Sequence, residues 1–314
     1  MLTKEQYDEH FNGWEIINVT VHHRACFYFV LAGQTGTDAR IRIVRLSLKG
    51  EELKFSRVHL SGYDRYRIQC DIVFPDKVMA IDADGAYFLG DSKVHSRIPY
   101  IAEGGPLGGT VKRLKTIDGF PAMICSTARD LLMRNHEDET WTRIGPQPDP
   151  DIASYEGFDD FHAFALDDIY ATSSAGLFHF DGTKWECVLN KHTTTVCCAP
   201  DGYVYATTWT VGGLTVYRGR DSKWTEIYKT TRDERHSAEI KDTVWHDGRI
   251  WVSSWSNMTV FEKGKYVKKF DPTAPSGGFL SARDGVLLCA SSRSAYWHGE
   301  GGDWNLLFKG WELE

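Results

Sequence analysis

The feature that most constrains this chain is a unit that keeps returning. The stretch "DDIYATSSAGLFHFDGTKW", from Asp167 to Trp185, reads as turn, strand, turn, strand, turn and a final Trp. It is followed by "DGYVYATTWTVGGLTVYRGRDSKW" from Asp201, "DGRIWVSSWSNMTVFEKGKY" from Asp247 and "DGVLLCASSRSAYWHGEGGDW" from Asp284. Upstream, "DGFPAMICSTARDLLMRNHEDETW" begins at Asp118, and weaker copies begin at Asp76 and His22. Asp-Gly and Asp-Asp pairs suit tight hairpins because these residues tolerate positive φ. Each turn is followed by β-forming residues that end in a small pair such as "ST", "SS" or "TT".

Another short apolar run precedes each Asp turn, for example "FHAFAL", "TTVCCA" and "TVWH", which makes four strands per unit. The strong turns are spaced 49, 34, 46 and 37 residues apart. Four strands in about 40 to 50 residues is the plan of a propeller blade. The expected fold is therefore all-β: a β-propeller of four-stranded blades, one domain over 1–314. Seven blades fit the length, with six as the alternative because the first unit is weak. The Trp185, Trp224 and Trp304 strands should be outermost. "WEII" at Trp14 suits either an outer strand that completes the last blade or the inner strand of the first.

Composition narrows the setting. No apolar run is long enough to span a membrane. The polar start "MLTKEQYDEHFNGW" predicts no signal peptide. Seven Cys, none in a C-x-x-C pair, mostly sit in apolar strand-like runs. Buried free thiols in a reducing cytoplasm are expected. Adjacent Cys197 and Cys198 should point to opposite faces of a strand. Net charge is -7, and ten acids between Glu137 and Asp168, opposed only by Arg143, account for -9.

The units "DDIYATSSAGLFHFDGTKW", "DGYVYATTWTVGGLTVY" and "DGRIWVSSW" resemble the regulator-type propeller repeats of bacterial signalling proteins. The resemblance covers roughly Asp118 to Leu307 well and the first hundred residues poorly. It implies fold, and says little of activity, since propellers host unrelated functions. It also suggests a periplasmic sensor with a membrane span and a kinase, features this sequence does not show; a free-standing cytoplasmic propeller is expected instead.

Catalytic motifs are not evident. "EGGPLGG", from Glu103 to Gly109, precedes no helix and reads as a loop between blades. His22 and His23 fall in a hairpin turn. Propeller hydrolases resembling lactonases gather Glu, Asn and Asp from innermost strands around an axial metal. Here Asp71 and Asp242 are the nearest candidates, read as solvated strand-end carboxylates. The acidic segment lacks the D-x-D-x-D-G spacing of a Ca²⁺ loop. No cofactor or metal is expected.

What remains is surface. Loops between second and third strands, and connections between blades, open on one face. Aligning the units puts Trp209, Trp255 and Arg293 after the small pair of three consecutive blades. These are the residue types most enriched at interface hot spots. The long acidic connection adds Asp149, Asp151, Tyr155, Glu156, Phe158, Asp159 and Asp160 to that face. Carboxylates interleaved with aromatics suit a basic protein and repel nucleic acid. The expected function is non-catalytic binding, and possible neutralisation, of a basic partner such as a toxin or nuclease, in the manner of an immunity protein. The alternatives are a carbohydrate-binding propeller, with Trp209 and Trp255 stacking on sugars, and a metal-dependent hydrolase of lactonase type.

Overall fold

A computed structural model describes residues 1–33, 40–49, 52–64, 67–74, 76–90, 94–144, 157–210, 213–230, 239–267 and 274–313. Its strands form seven four-stranded sheets, each built from one stretch of chain with its strands side by side in sequence order. That order follows from the turns. Asp247 and Gly248 both take positive φ (50° and 74°), as do Asp284 and Gly285 (51° and 70°). This is the two-residue hairpin geometry that matches strand twist, and Asp-Gly adopts it at little cost.

The innermost strands of blades 1 to 7 are Trp14–His23, Gln69–Val73, Val111–Lys115, Phe158–Ala165, Thr195–Cys198, Ile240–His246 and Phe279–Arg283. Each packs beside the next, and the seventh packs beside the first. The chain is a seven-bladed β-propeller. Trp14 opens the inner strand of blade 1, so each blade keeps its own four strands and closure is by packing.

Seven apolar clusters make the core, one at each interface between neighbouring blades. The middle strands are buried on both faces, which is why "VLLCA" runs without alternation. The recurring Trp has a similar explanation. Trp185 and Trp304 are the first residues and Trp224 the second residue of the outermost strands of their blades, and each covers the interface with the preceding blade. Cys197 and Cys198 lie in different clusters, on opposite faces of one strand, and all seven cysteines are free thiols.

A helix that the strand pattern does not announce, α1 (Lys4–His10), seals the ring. Its signal was a capping box: Thr3 accepts the Gln6 N–H, and the Gln6 side chain accepts the Thr3 N–H. Leu2 N–H donates to the Leu307 carbonyl at 2.9 Å, and Tyr7 and Phe11 pack on Phe308 with centroids 5.7 and 4.4 Å apart. Blades 1 and 7 are thereby joined through one cluster.

Up-and-down connectivity separates two faces. Turns joining first to second and third to fourth strands lie on one, called here the hairpin face. Turns joining second to third strands, and connections between blades, lie on the other, the connector face. "EGGPLGG" is indeed a connector, between blades 2 and 3.

Candidate functional site

The connector-face residues separate in the structure. Trp255 stands out, 43% exposed, with Phe279 edge-on at 5.3 Å and Lys241 Nζ 4.3 Å from its ring centre. Arg293 is half-buried, and its carbonyl accepts the Gly310 N–H at 2.8 Å. Trp209 instead packs against the cluster between blades 5 and 6. Its ring covers apolar neighbours there, so Trp209 and Trp255 are not presented alike, as stacking on sugars would require.

The acidic connection is also divided. Asp149, Asp151, Tyr155 and Glu156 lie outside the described residues. Phe158 is fully buried against Trp185 and Phe178, so it is core and no part of an exposed patch. Asp159 is half-buried, 3.7 Å from Lys112 Nζ, and burial raises its carboxyl above the usual range despite that lysine. Asp160 is 1% exposed and belongs to the axis rather than the surface. A bulge in the inner strand decides this: the register shifts between Phe158 and Asp160, so Phe158 packs towards blade 3 while Asp160 turns to the axis and blade 5, and neither is free to meet a partner.

The axis holds a charge network that sequence reading had only glimpsed in Asp71 and Asp242. Asp71, Asp160 and Asp242 come from the inner strands of blades 2, 4 and 6. Each carboxylate accepts an N–H from the inner-strand region of the next blade: Thr116 at 2.6 Å, Val196 at 3.0 Å and Leu280 at 2.9 Å. Three cations complete it. Arg113 reaches across the channel to Asp242 at 2.9 Å and lies 3.4 Å from Asp160. Lys115 Nζ is 2.6 Å from Asp160, and Arg283 is 3.4 Å from Asp71. Burial would raise Asp160, but Lys115 and Arg113 hold its carboxyl below the usual range. Burial pushes His162 down to about 4, with Lys115 adding to the effect, so its imidazole is neutral at pH 7. The available signal was "VKRLK", which sets Arg113 and Lys115 two residues apart, on one side of an inner strand.

This network frames an axial cavity of about 410 Å³. Ile117, Phe120, Pro200 and Trp245 line it at the ends of the inner strands, so it opens on the hairpin face. A lactonase-type metal would need carboxylates free to ligate. Here Asp71 and Asp242 are engaged by guanidinium and backbone N–H. They are not the solvated strand-end groups expected from sequence. His22, His23 and Cys26 do bring ligand atoms within 4.8 Å of one another. Cys26 Sγ, however, accepts from Arg45 Nε at 3.2 Å, and His23 Nδ1 accepts the Ala25 N–H at 3.2 Å. The guanidinium beside the sulfur disfavours a second cation.

The chain is similar to the immune protein Tsi7 of Pseudomonas aeruginosa. They are 29% identical over 233 residues, which is 70% of this chain and 72% of that protein. No family profile matches the sequence. Among solved structures, the extracellular domain of a hybrid two-component system of B. thetaiotaomicron superposes over 98% of this chain with a TM-score of 0.60 and 10% identity. PorZ, a surface component of the type-IX secretion system of Porphyromonas gingivalis, superposes over 95% with a TM-score of 0.61 and 12% identity. A gluconolactonase-like protein covers 79% of this chain with a TM-score of 0.51 and 12% identity. The chain spans about two fifths of the first two solved chains, 41% and 39%. At these identities the likeness shows the fold alone, and it meets the expectation of a regulator-type propeller.

Proposed function

We propose that this chain is an immunity protein: a non-catalytic propeller that binds a toxin and neutralises it by covering its surface. The observation that carries this is the similarity to Tsi7 across 233 residues, which extends over most of both chains. The axial chemistry supports a binding role, because its carboxylates are consumed by structural ion pairs and backbone N–H groups. A net charge of -7 favours a basic partner, with nucleases among the toxin classes that fit. Seven free thiols suit action in a reducing cytoplasm, where such a toxin would have to be met.

The test is co-expression. Each reading frame beside this gene is induced in a bacterial host, with and without this chain. One of them should arrest growth, and this chain should relieve the arrest and co-elute with the product as a stable complex. If no toxic product is relieved, the immunity reading fails.

A further inference from the structure

We infer that the partner docks on the hairpin face, over the mouth of the axial cavity, and that the occupant is a basic protein surface. The identity of that occupant as a toxin rests on the immunity reading; the choice of face rests on geometry.

The first observation is charge. Turns between first and second strands expose five carboxylates, Asp76, Asp118, Asp167, Asp201 and Asp284. Turns between third and fourth strands expose seven more, namely Glu137, Asp138, Glu139, Asp181, Asp221, Glu300 and Asp303. The exposed cations of these turns, among the described residues, are Arg24, Lys184 and Lys263. Arg134 and Arg218 in adjoining strands offset Glu139 and Asp201, and Lys223 and Lys265 stand exposed where the fourth strands of blades 5 and 6 begin; the twelve carboxylates still exceed these seven cations. The cause is local. Hairpins of this type need residues that tolerate positive φ, Asp is one of them, and six of the seven blades place an Asp in their first hairpin turn, all on one face.

The second observation is independent of charge. Phe74, Leu166 and Tyr203 are 59%, 44% and 41% exposed at the hairpin tips of blades 2, 4 and 5. Between them, Phe120 of blade 3 lines the cavity. The exposed rings are held in place rather than loose: the Arg218 guanidinium lies 3.4 Å from the Tyr203 ring centre, and His136 sits 4.6 Å from Phe74. Anchors already held in place lose less entropy on binding. An apolar arc beside a concave opening, surrounded by carboxylates, has the anatomy of an interface with an apolar centre and a polar rim. Charge complementarity then selects a basic occupant. Exposed apolar side chains on the connector face, Ile101 and Trp255, belong to separate blades and lack such an opening.

The test compares two variant sets in the intact chain. The hairpin set is Phe74→Ser with Tyr203→Ser, and separately Asp118→Asn, Glu137→Gln, Asp167→Asn and Asp284→Asn together. The connector set is Trp255→Ala with Asp149→Asn, Asp151→Asn and Glu156→Gln. The probes are the toxin found by co-expression, in an inactivated form, and a deca-arginine peptide read by hydrogen exchange. The aromatic pair should weaken toxin binding about 30-fold or more, mainly through faster dissociation. The carboxylate set should slow association about tenfold at low salt and flatten its salt dependence. The connector set should change affinity by less than about threefold. The peptide should protect amides at the hairpin turns. The reverse pattern, with the connector set dominant, overturns the inference and leaves the immunity reading intact. If no toxin is found, that reading fails and the peptide footprint decides the face: protection confined to connectors overturns the inference. All variants should melt within a few degrees of the parent, which confirms that they fold.

Discussion

The two faces of this propeller are built by different parts of the same repeat, and they differ in what their side chains are free to do. On the hairpin face, turns of two to five residues push Asp167, Asp201 and Asp221 into solvent at tips that the core does not need. On the connector side, the residues that looked most like a binding patch are rooted inward. Phe158 fills an interface between blades, Trp209 leans on another, and Asp160 crosses into the axis. The described connector surface is also closer to neutral, with Glu103 paired to Arg97 and Glu239 paired to Lys241. Aromatic and acidic residues in a sequence therefore predict a surface only once their strand position is known.

The comparison breaks most sharply at Asp160. If it belongs to the axis, Asp160→Ala strands Lys115, leaves Arg113 with Asp242 alone, and should cost about 3–5 kcal/mol, read from urea unfolding. A cost near zero, with binding lost, would return it to the surface. Acid should expose the interior next. Burial pushes His162 to about 4, and burial with the neighbouring His298 pushes His246 to about 4. Both pKa values are depressed from 6.5 in the folded state, so the unfolded chain binds more protons between those values. The stability they contribute is present above about pH 6.5 and lost as pH falls towards 4, on the order of 2.5 kcal/mol for each, or 5 kcal/mol for the two, between pH 7.5 and 4.5. A flat urea midpoint across that range would contradict it.

Smaller effects sharpen the contrast further. Trp209→Ala should cost about 2 kcal/mol and Trp255→Ala under about 0.5, because only the first fills an interface. Equal melting curves would put both on the surface. Replacing Asp167 and Asp221 by Asn should change stability by less than about 0.5 kcal/mol, since exposed turn carboxylates hold nothing together. Last, the native protein should take up one alkyl label, at exposed Cys187. Burial holds Cys70, Cys125 and Cys198 well above the usual thiol range and pushes Cys197 up to about 12, so they should label only after denaturation, as counted by intact mass.

The propeller itself was legible in the sequence because its turns are chemical signals. Asp247 and Gly248 declare a hairpin wherever they fall, and a four-strand unit that cannot bury both faces alone must stack against copies of itself. Trp185, Trp224 and Trp304 were correctly read as outermost because each follows the last polar turn of its unit. The short helix α1 was missed because its seven residues are too few to show a period, although Thr3 and Gln6 carried a cap.

The sequence by itself determined the number of strands per unit and the tight turns that join them, both of which depend on neighbours along the chain. Tertiary structure decided the rest. Whether Asp160 is a surface carboxylate or half of a buried pair depends on Lys115, which lies on another blade. The acids of the hairpin turns were visible one at a time at Asp118, Asp167, Asp201 and Asp284, but ring closure alone gathers them on one face. Electrostatic potential sums over distance in space, and a propeller brings together turns that the chain keeps about 40 residues apart.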